Sequence, residues 1–266
     1  MSSLEALLLG LLQGATEFLP VSSSGHLVIV QAFMKVLGSG VGFEVLLHVA
    51  TLGAIVICLR REVAALVKGS LRVVRLLPTV LEEERRERRL ALAVIAGTVP
   101  AAAATLLFGS TLKAAFTRPE WAGRFLLITG AVLMGTRFGR DKHREIGLGV
   151  GFIIGLAQAA ALLPGISRSG FTIAAAIFLG VPRGDALRFS FLLALPAVGG
   201  AFLYTLLPGE GSVLEVPLVP SAFGFGAALI SGCAAILILL RAVRRGRFEF
   251  FGIYCVLVGL IAMVLL

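Results

Sequence analysis

Two stretches, Leu19-Pro20-Val21-Ser22-Ser23-Ser24-Gly25-His26 and Leu163-Pro164-Gly165-Ile166-Ser167-Arg168-Ser169-Gly170, decide the fold. They interrupt the apolar regions 4–36 and 147–180 near their middles, with proline, glycine and serine too dense for one helix to run through. Each region therefore reads as two half-helices meeting at a polar loop. The rest of the chain places those loops in a bilayer. Of its 266 residues 58% are hydrophobic and 15% charged, and mean hydropathy is +0.99, whereas an ordinary soluble domain is roughly 25% charged. A soluble enzyme is excluded, and so is disorder, because so apolar a chain has ample surface to bury. Polar backbone at membrane depth is tolerated only where it is buried in protein or lines a wet cavity. The two breaks are thus the first place to look for a site.

Six other stretches are long and apolar enough to span: about 43–60, 91–109, 121–137, 189–207, 219–240 and 248–266. The two broken regions also resemble each other. A shift of 145 places Gly10, Leu11, Gln13, Ala15, Ser22, Ser24 and Gly25 on Gly155, Leu156, Gln158, Ala160, Ser167, Ser169 and Gly170. A shift of 146 aligns Phe43, Leu46, Leu47 and Gly53 with Phe189, Leu192, Leu193 and Gly199. The expectation is a single all-α polytopic membrane domain over 1–266, built as an internal repeat, 1–137 and 147–266. Each half is one broken re-entrant hairpin followed by three transmembrane helices.

The net charge of +9 comes from 24 Lys and Arg against 15 Asp and Glu, and its distribution sets the orientation. Residues 60–89 hold nine Lys or Arg, 137–144 hold four and 241–247 hold four. The positive-inside rule makes these loops cytoplasmic. The basic residues therefore mark a cytoplasmic segment at 60–90 rather than a nucleic-acid surface. Segment 207–220 carries only Glu210 and Glu215, and 37–42 carries no charge, as outside loops should. The first hairpin then enters from outside and the second from the cytoplasm, so the repeats have inverted topology, an arrangement that in membrane proteins places a site at the repeat interface. Glu82-Glu83-Glu84-Arg85-Arg86-Glu87-Arg88-Arg89 reads as a solvated or headgroup-facing helix. Asp185, between Arg183 and Arg188, reads as a helix cap. Cys58, Cys233 and Cys255 lie in apolar runs, with no disulfide or metal spacing. Met1-Ser2-Ser3-Leu4-Glu5 lacks the basic start of a cleaved signal peptide.

An ionisable residue inside a membrane segment is a functional-site hypothesis by default. Gln13 and Glu17 stand i, i+4 on one helix face running into the first break. Ser22, Ser23, Ser24 and His26 follow. The second break offers Ser167, Arg168, Ser169 and, a step later, Thr172. An anion fits this inventory, since Arg168 is a permanent forked donor suited to phosphate and the half-helix starting near Ser169 offers free N–H groups. Glu17 suits a hard divalent cation, which takes one or two carboxylates plus phosphate oxygens. His26, with an adjacent serine, supplies a base and a nucleophile for phosphoanhydride cleavage. Bland readings stand beside these: Glu17 and Arg168 as a structural bridge, His26 as a core histidine, Ser22 and Ser24 as helix caps, Gln158 as interhelical glue. Glu44 and His48, again i, i+4, are either supporting residues or interfacial ones.

Gln13-Gly14-Ala15-Thr16-Glu17-Phe18-Leu19-Pro20-Val21-Ser22-Ser23-Ser24-Gly25-His26, with Leu163-Pro164-Gly165-Ile166-Ser167-Arg168-Ser169-Gly170-Phe171-Thr172, resembles the undecaprenyl-diphosphate phosphatases of the bacitracin-resistance type. The similarity continues through Phe43-Glu44-Val45 and Phe189-Ser190-Phe191-Leu192-Leu193 and covers essentially the whole chain. The resemblance implies an enzyme of the bacterial inner membrane that removes the terminal phosphate of undecaprenyl diphosphate and regenerates the carrier for cell-wall precursors. It implies Mg²⁺ or Ca²⁺, an active site facing the periplasm, and membrane lipids as partners, with a homodimer left open. Carried over by position, its Glu/Gln-x-x-x-Glu element falls on Gln13 and Glu17, its histidine on His26 and its Pro-Gly-x-Ser-Arg-Ser motif on Pro164 to Ser169. Taken with the residue chemistry, the expectation is that Glu17, His26, Ser23 and Arg168 are catalytic, that Ser22, Ser24, Ser167, Ser169, Gly170 and Thr172 bind substrate, and that Glu17 and Gln13 hold the metal. Many members carry Glu where this chain has Gln13, and some a neutral amide where it has His48. The sequence leaves the attacking group open among Ser23, His26 and water. The rival reading, from the inverted repeat alone, is a secondary transporter or lipid flippase.

Overall fold

The computed structural model describes residues 1–34, 40–76, 81–116, 118–206, 213–243 and 248–265. Among them there is no strand, and the α-helices are α1 (Ser3–Phe18), α2 (Ser23–Met34), α3 (Gly40–Cys58), α4 (Arg60–Val74), α5 (Glu82–Phe116), α6 (Pro119–Gly135), α7 (Leu148–Ala160), α8 (Arg168–Phe178), α9 (Arg183–Thr205), α10 (Leu218–Val243) and α11 (Glu249–Leu265). The all-helical expectation is met, and the helices are those of a multi-pass membrane protein. Val41–Cys58, Glu82–Leu112, Arg183–Thr205 and Leu218–Ala242 are long and apolar enough to cross a bilayer. They contain or overlap four of the six expected spans. Residues 121–137 and 248–266 correspond to α6 and α11, helices of 17 residues each, at the low end of the roughly 17–25 that spanning needs. Leu106, Leu218 and Val264 are 86%, 83% and 84% exposed, an arrangement suited to lipid rather than water. The expected loops at 37–42, 207–220 and 241–247 lie wholly or partly outside the described residues.

Both breaks fall where proline and glycine put them. α1 begins with a capping box in which Ser2 Oγ accepts from Glu5 N and Glu5 Oε2 accepts from Ser2 N. It stops at Phe18 because Leu19, ahead of Pro20, is forced into extended backbone (φ −63°, ψ 141°). α7 stops at Ala160, ahead of Pro164 and a left-handed Gly165 (φ +97°). α1 lies along α10 and α7 along α5. Both contacts use small residues: a Cβ on Gly10 would strike the Gly224 carbonyl, and one on Gly155 the Gly97 carbonyl. Close backbone approach through small residues is how helices associate in lipid, where no hydrophobic drive separates protein from solvent. α3 packs on α9 and α10, and α6 on α11. Phe18, at the end of α1, meets the Phe191 ring of α9 edge-on at 5.2 Å, which anchors the helix end that carries Glu17.

The basic segment forms an α4–α5 hairpin. Arg72 pairs with Glu84 at 2.8 Å and Glu87 at 3.5 Å, so the 82–89 run is only partly solvated and Glu87 is buried. Asp185 does not cap α9. Pro182 holds the N-cap position without a side-chain bond, and Asp185 lies in the first turn, where a carboxylate favours the helix dipole. The three cysteines are free thiols.

Candidate active site

The two breaks meet. A Cβ on Gly25 would come to 2.9 Å from Gly165 Cα, and one on Gly170 to 3.4 Å from Pro20 Cβ, so each break presses a glycine against the other. Their local geometry is also alike. Ser22 Oγ accepts from Gly25 N at 3.2 Å and Ser167 Oγ from Gly170 N at 3.0 Å. Ser22 and Ser24 hydroxyls lie 3.4 Å apart, those of Ser167 and Ser169 3.3 Å. The first residue of the helix is therefore Ser23 on one side and Arg168 on the other. The N–H groups of Ser23, Ser24, Arg168 and Ser169 lie in first turns, where no intrahelical acceptor exists. Two positive helix ends thus flank one place.

Between them lies a cavity of about 230 Å³. Its polar wall is Glu17, Ser22, Ser23, Ser24, His48, Gln158, Ser167 and Arg168, and Val45, Ala101, Ala197, Val198 and Ala201 form part of its apolar wall. Glu17 is the hub, with its side chain 4% exposed. Its Oε1 pairs with Arg168 Nη2. Its Oε2 accepts from Ser23 Oγ at 2.5 Å and from Gln13 Nε2 at 2.8 Å, with His48 Nδ1 at 3.3 Å. A carboxylate so surrounded is fixed in direction. Chemically, the cavity offers an oriented hydroxyl, an adjacent proton acceptor and a guanidinium between two helix starts, which is the equipment for attack on a phosphate.

His26 stands apart from this group. Its Nδ1 donates to the Ser22 carbonyl at 2.8 Å, which leaves Nε2 as the acceptor for the Tyr254 hydroxyl at 2.9 Å. The two rings lie parallel at 5.7 Å. His26 therefore braces Ser22, a non-glycine residue at φ +67°, while the Ser23 hydroxyl turns to Glu17 instead. Thr172 is fully buried, bonded to the Arg168 carbonyl and to Ser190 Oγ at 2.6 Å. Ser169 Oγ donates to the Leu19 carbonyl at 3.2 Å, tying α8 to the first break. Gly170 is buried against Ser167 and Pro20.

Of the expected residues, Glu17, Ser22, Ser23, Ser24, Ser167 and Arg168 face the cavity, Gln13 lies directly behind Glu17, and His26, Ser169, Gly170 and Thr172 form the supporting layer. Sequence reasoning left His48 unassigned. Its i, i+4 relation to Glu44 pointed to a pair, but Glu44 accepts from Gln31 at 3.1 Å while His48 turns to Gln13 and Glu17. Gln158 does bridge helices, to the Gly97 carbonyl at 3.5 Å, and also reaches the wall. Among the described residues no three His, Cys, Asp or Glu side chains cluster to hold a metal. The donors nevertheless fit a hard divalent cation shared with a phosphate. Glu17 is the acid at the cavity, and Gln13 Oε1 is a buried acceptor without a hydrogen-bond partner.

The family model described as bacitracin resistance protein BacA matches residues 6–261. Three similar proteins carry the name undecaprenyl-diphosphatase. That of Syntrophotalea carbinolica is 42% identical over 268 residues, 97% of either chain. That of Korarchaeum cryptofilum is 38% identical over 262 residues, 98% of either chain. That of Desulforapulum autotrophicum is 38% identical over 270 residues, covering 98% of this chain and 97% of its own.

Proposed function

The chain belongs to the bacitracin resistance protein BacA family, and from that premise we propose how its residues hydrolyse undecaprenyl diphosphate to undecaprenyl phosphate and inorganic phosphate. The activity recycles the lipid carrier for peptidoglycan synthesis and underlies bacitracin resistance. The observation that carries the mechanism is the convergence of Ser23 and Arg168, the first residues of α2 and α8, on the single carboxylate Glu17.

In this reading Ser23 Oγ attacks the terminal phosphorus while its proton passes to the Glu17 carboxylate. The bond from that phosphorus to the bridging oxygen breaks, and undecaprenyl phosphate leaves with the bridging oxygen. Glu17 passes that proton to the departing undecaprenyl phosphate. Water then attacks the phosphoserine and gives a proton to Glu17, and as the Ser23 Oγ–P bond breaks and phosphate leaves, Glu17 returns the proton to Ser23 Oγ. Arg168 and the four free N–H groups of the two helix starts hold the charge that gathers on the phosphoryl oxygens. Ser22, Ser24 and Ser167 face the diphosphate, and Ser169 contributes its backbone N–H. Gly170 and Thr172 serve it by packing, and His26 acts through Ser22. Glu17 and Gln13 would hold Mg²⁺ or Ca²⁺, which supplies charge neutralisation between the phosphates.

The same reading makes the chain six spans plus two re-entrant hairpins in inverted repeats, 1–137 and 147–266, with 60–90 cytoplasmic. It sits in the inner membrane with the cavity facing outward and the prenyl tail leaving sideways into lipid. The parallel contacts of α1 with α10 and α7 with α5 support that arrangement. The test is release of inorganic phosphate from a prenyl diphosphate by purified protein in detergent, with and without chelator. Release that chelation stops supports the assignment. No release overturns it and returns the inverted repeat to the transporter or flippase reading.

A further inference from the structure

We infer that His48 is a third ligand of the divalent cation, so that the site takes a nitrogen-binding first-row cation such as Mn²⁺ in preference to Ca²⁺. The inference rests on the proposed cation dependence and adds a residue and a selectivity to it. Gln13 Nε2, Glu17 Oε2 and His48 Nδ1 form a triangle with sides of 2.8, 2.9 and 3.3 Å. With metal–ligand bonds of roughly 2.0–2.2 Å, neighbouring ligands stand roughly 2.8–3.1 Å apart in octahedral and roughly 3.3–3.6 Å apart in tetrahedral geometry. The three side-chain ends therefore already have the spacing of one face of a coordination shell.

The hydrogen bonding is consistent with this. As the Gln13 amide is oriented, Nε2 points its two N–H bonds at Glu17 Oε2 and His48 Nδ1, and in the tautomer that accepts this bond Nδ1 carries a lone pair and the ring proton is on Nε2. That tautomer leaves Nδ1 ready for a metal. The amide oxygen of Gln13 is buried without a partner, and turning the amide over exchanges N for O at nearly identical shape. The amide therefore caps the triangle as a donor without the cation and joins it as a ligand with it. His48 comes from α3 and is 28% exposed against 4% for Glu17, which places it on the open side of the triangle. Arg168, on the other carboxylate oxygen, opposes a lone cation, so the cation enters with the diphosphate, whose oxygens complete the shell. An imidazole nitrogen biases such a set away from Ca²⁺, which takes six to eight oxygens, toward Mn²⁺ and its neighbours.

The test loads full-length protein in detergent with Mn²⁺ and a prenyl methylenediphosphonate, which is not hydrolysed, and reads electron spin echo envelope modulation. Directly coordinated ¹⁴N modulation is expected in wild type, and its loss with retained Mn²⁺ is expected in His48→Gln, together with about tenfold weaker Mn²⁺ binding. Bound Mn²⁺ without ¹⁴N modulation in wild type, or unchanged modulation in His48→Gln, overturns the inference. Glu17→Gln separates the layers: Mn²⁺ lost in Glu17→Gln but indifferent to His48 leaves the cation reading standing and removes His48 from it. No Mn²⁺ bound to wild type removes both.

Discussion

Arg168 can be removed in two ways that have different consequences. Its guanidinium is 22% exposed and meets Glu17, which is 4% exposed. Arg168→Ala leaves that carboxylate buried without its counter-charge, a loss of about 3–5 kcal/mol for a buried pair, and the partial exposure of Arg168 places the expected cost at the lower end. On the reaction, two charge-assisted hydrogen bonds to phosphoryl oxygens at about 1.5–3 kcal/mol each amount to roughly 10²–10⁴-fold in kcat/KM. Arg168→Lys keeps the charge beside Glu17 but loses the planar fork. Its stability should stay within about 1 kcal/mol of wild type, the scale of a single hydrogen bond, while its rate falls by about 10–10²-fold, the share of one charge-assisted bond. The double variant Glu17→Gln, Arg168→Ala should recover most of the stability lost in Arg168→Ala. The assays are phosphate release from a short-chain prenyl diphosphate and thermal unfolding in detergent. A fully active Arg168→Lys beside an inactive Arg168→Ala would refute the reasoning, because the guanidinium would then serve Glu17 alone.

Ser23→Ala should lower phosphate release by about 10³-fold or more and abolish any phosphoenzyme trapped from labelled substrate; Ser24→Ala, whose hydroxyl bonds to that of Ser22, should fall far less. Gly25→Ala puts a Cβ 2.9 Å from Gly165 Cα, so unfolding should shift by about 1–3 kcal/mol, as for overpacking elsewhere, with activity lost in parallel. Tyr254→Phe removes one hydrogen bond to His26 and should lower stability by about 0.5–1.5 kcal/mol with little change in kcat. A kcat as low as that of Ser23→Ala would instead put the Tyr254–His26 pair in the proton path.

The helix breaks were legible because proline and glycine act on the backbone locally, and they reappear within a few residues of where they were read. The Gln13–Glu17 face was legible for the same reason, since i, i+4 geometry needs nothing outside its own helix. What faced what across helices was not. His26 sits three residues from Ser23, and pairing them looked natural. Yet Nδ1 turns back to the Ser22 carbonyl and Nε2 to a tyrosine 228 residues downstream. Thr172 looked like a phosphate ligand, but the rotation of α8 hands its hydroxyl to Ser190. His48 enters from α3 through helix packing that no spacing rule encodes. Local chemistry could be read from one segment, whereas side-chain destinations depended on the rotation of neighbouring helices.

The two helix starts share a capping serine and a glycine three residues on, but they begin with different residues, Ser23 and Arg168. Two identical starts would give the cavity an axis without a direction, able to grip an anion but indifferent to which way electrons move through it. With an alcohol on one side and a fixed positive charge on the other, the cavity gains a sense. In the proposed mechanism Ser23 pushes an electron pair toward phosphorus while Arg168 draws charge out onto its oxygens. The frame supplies balance, and its single mismatch supplies polarity to the reaction.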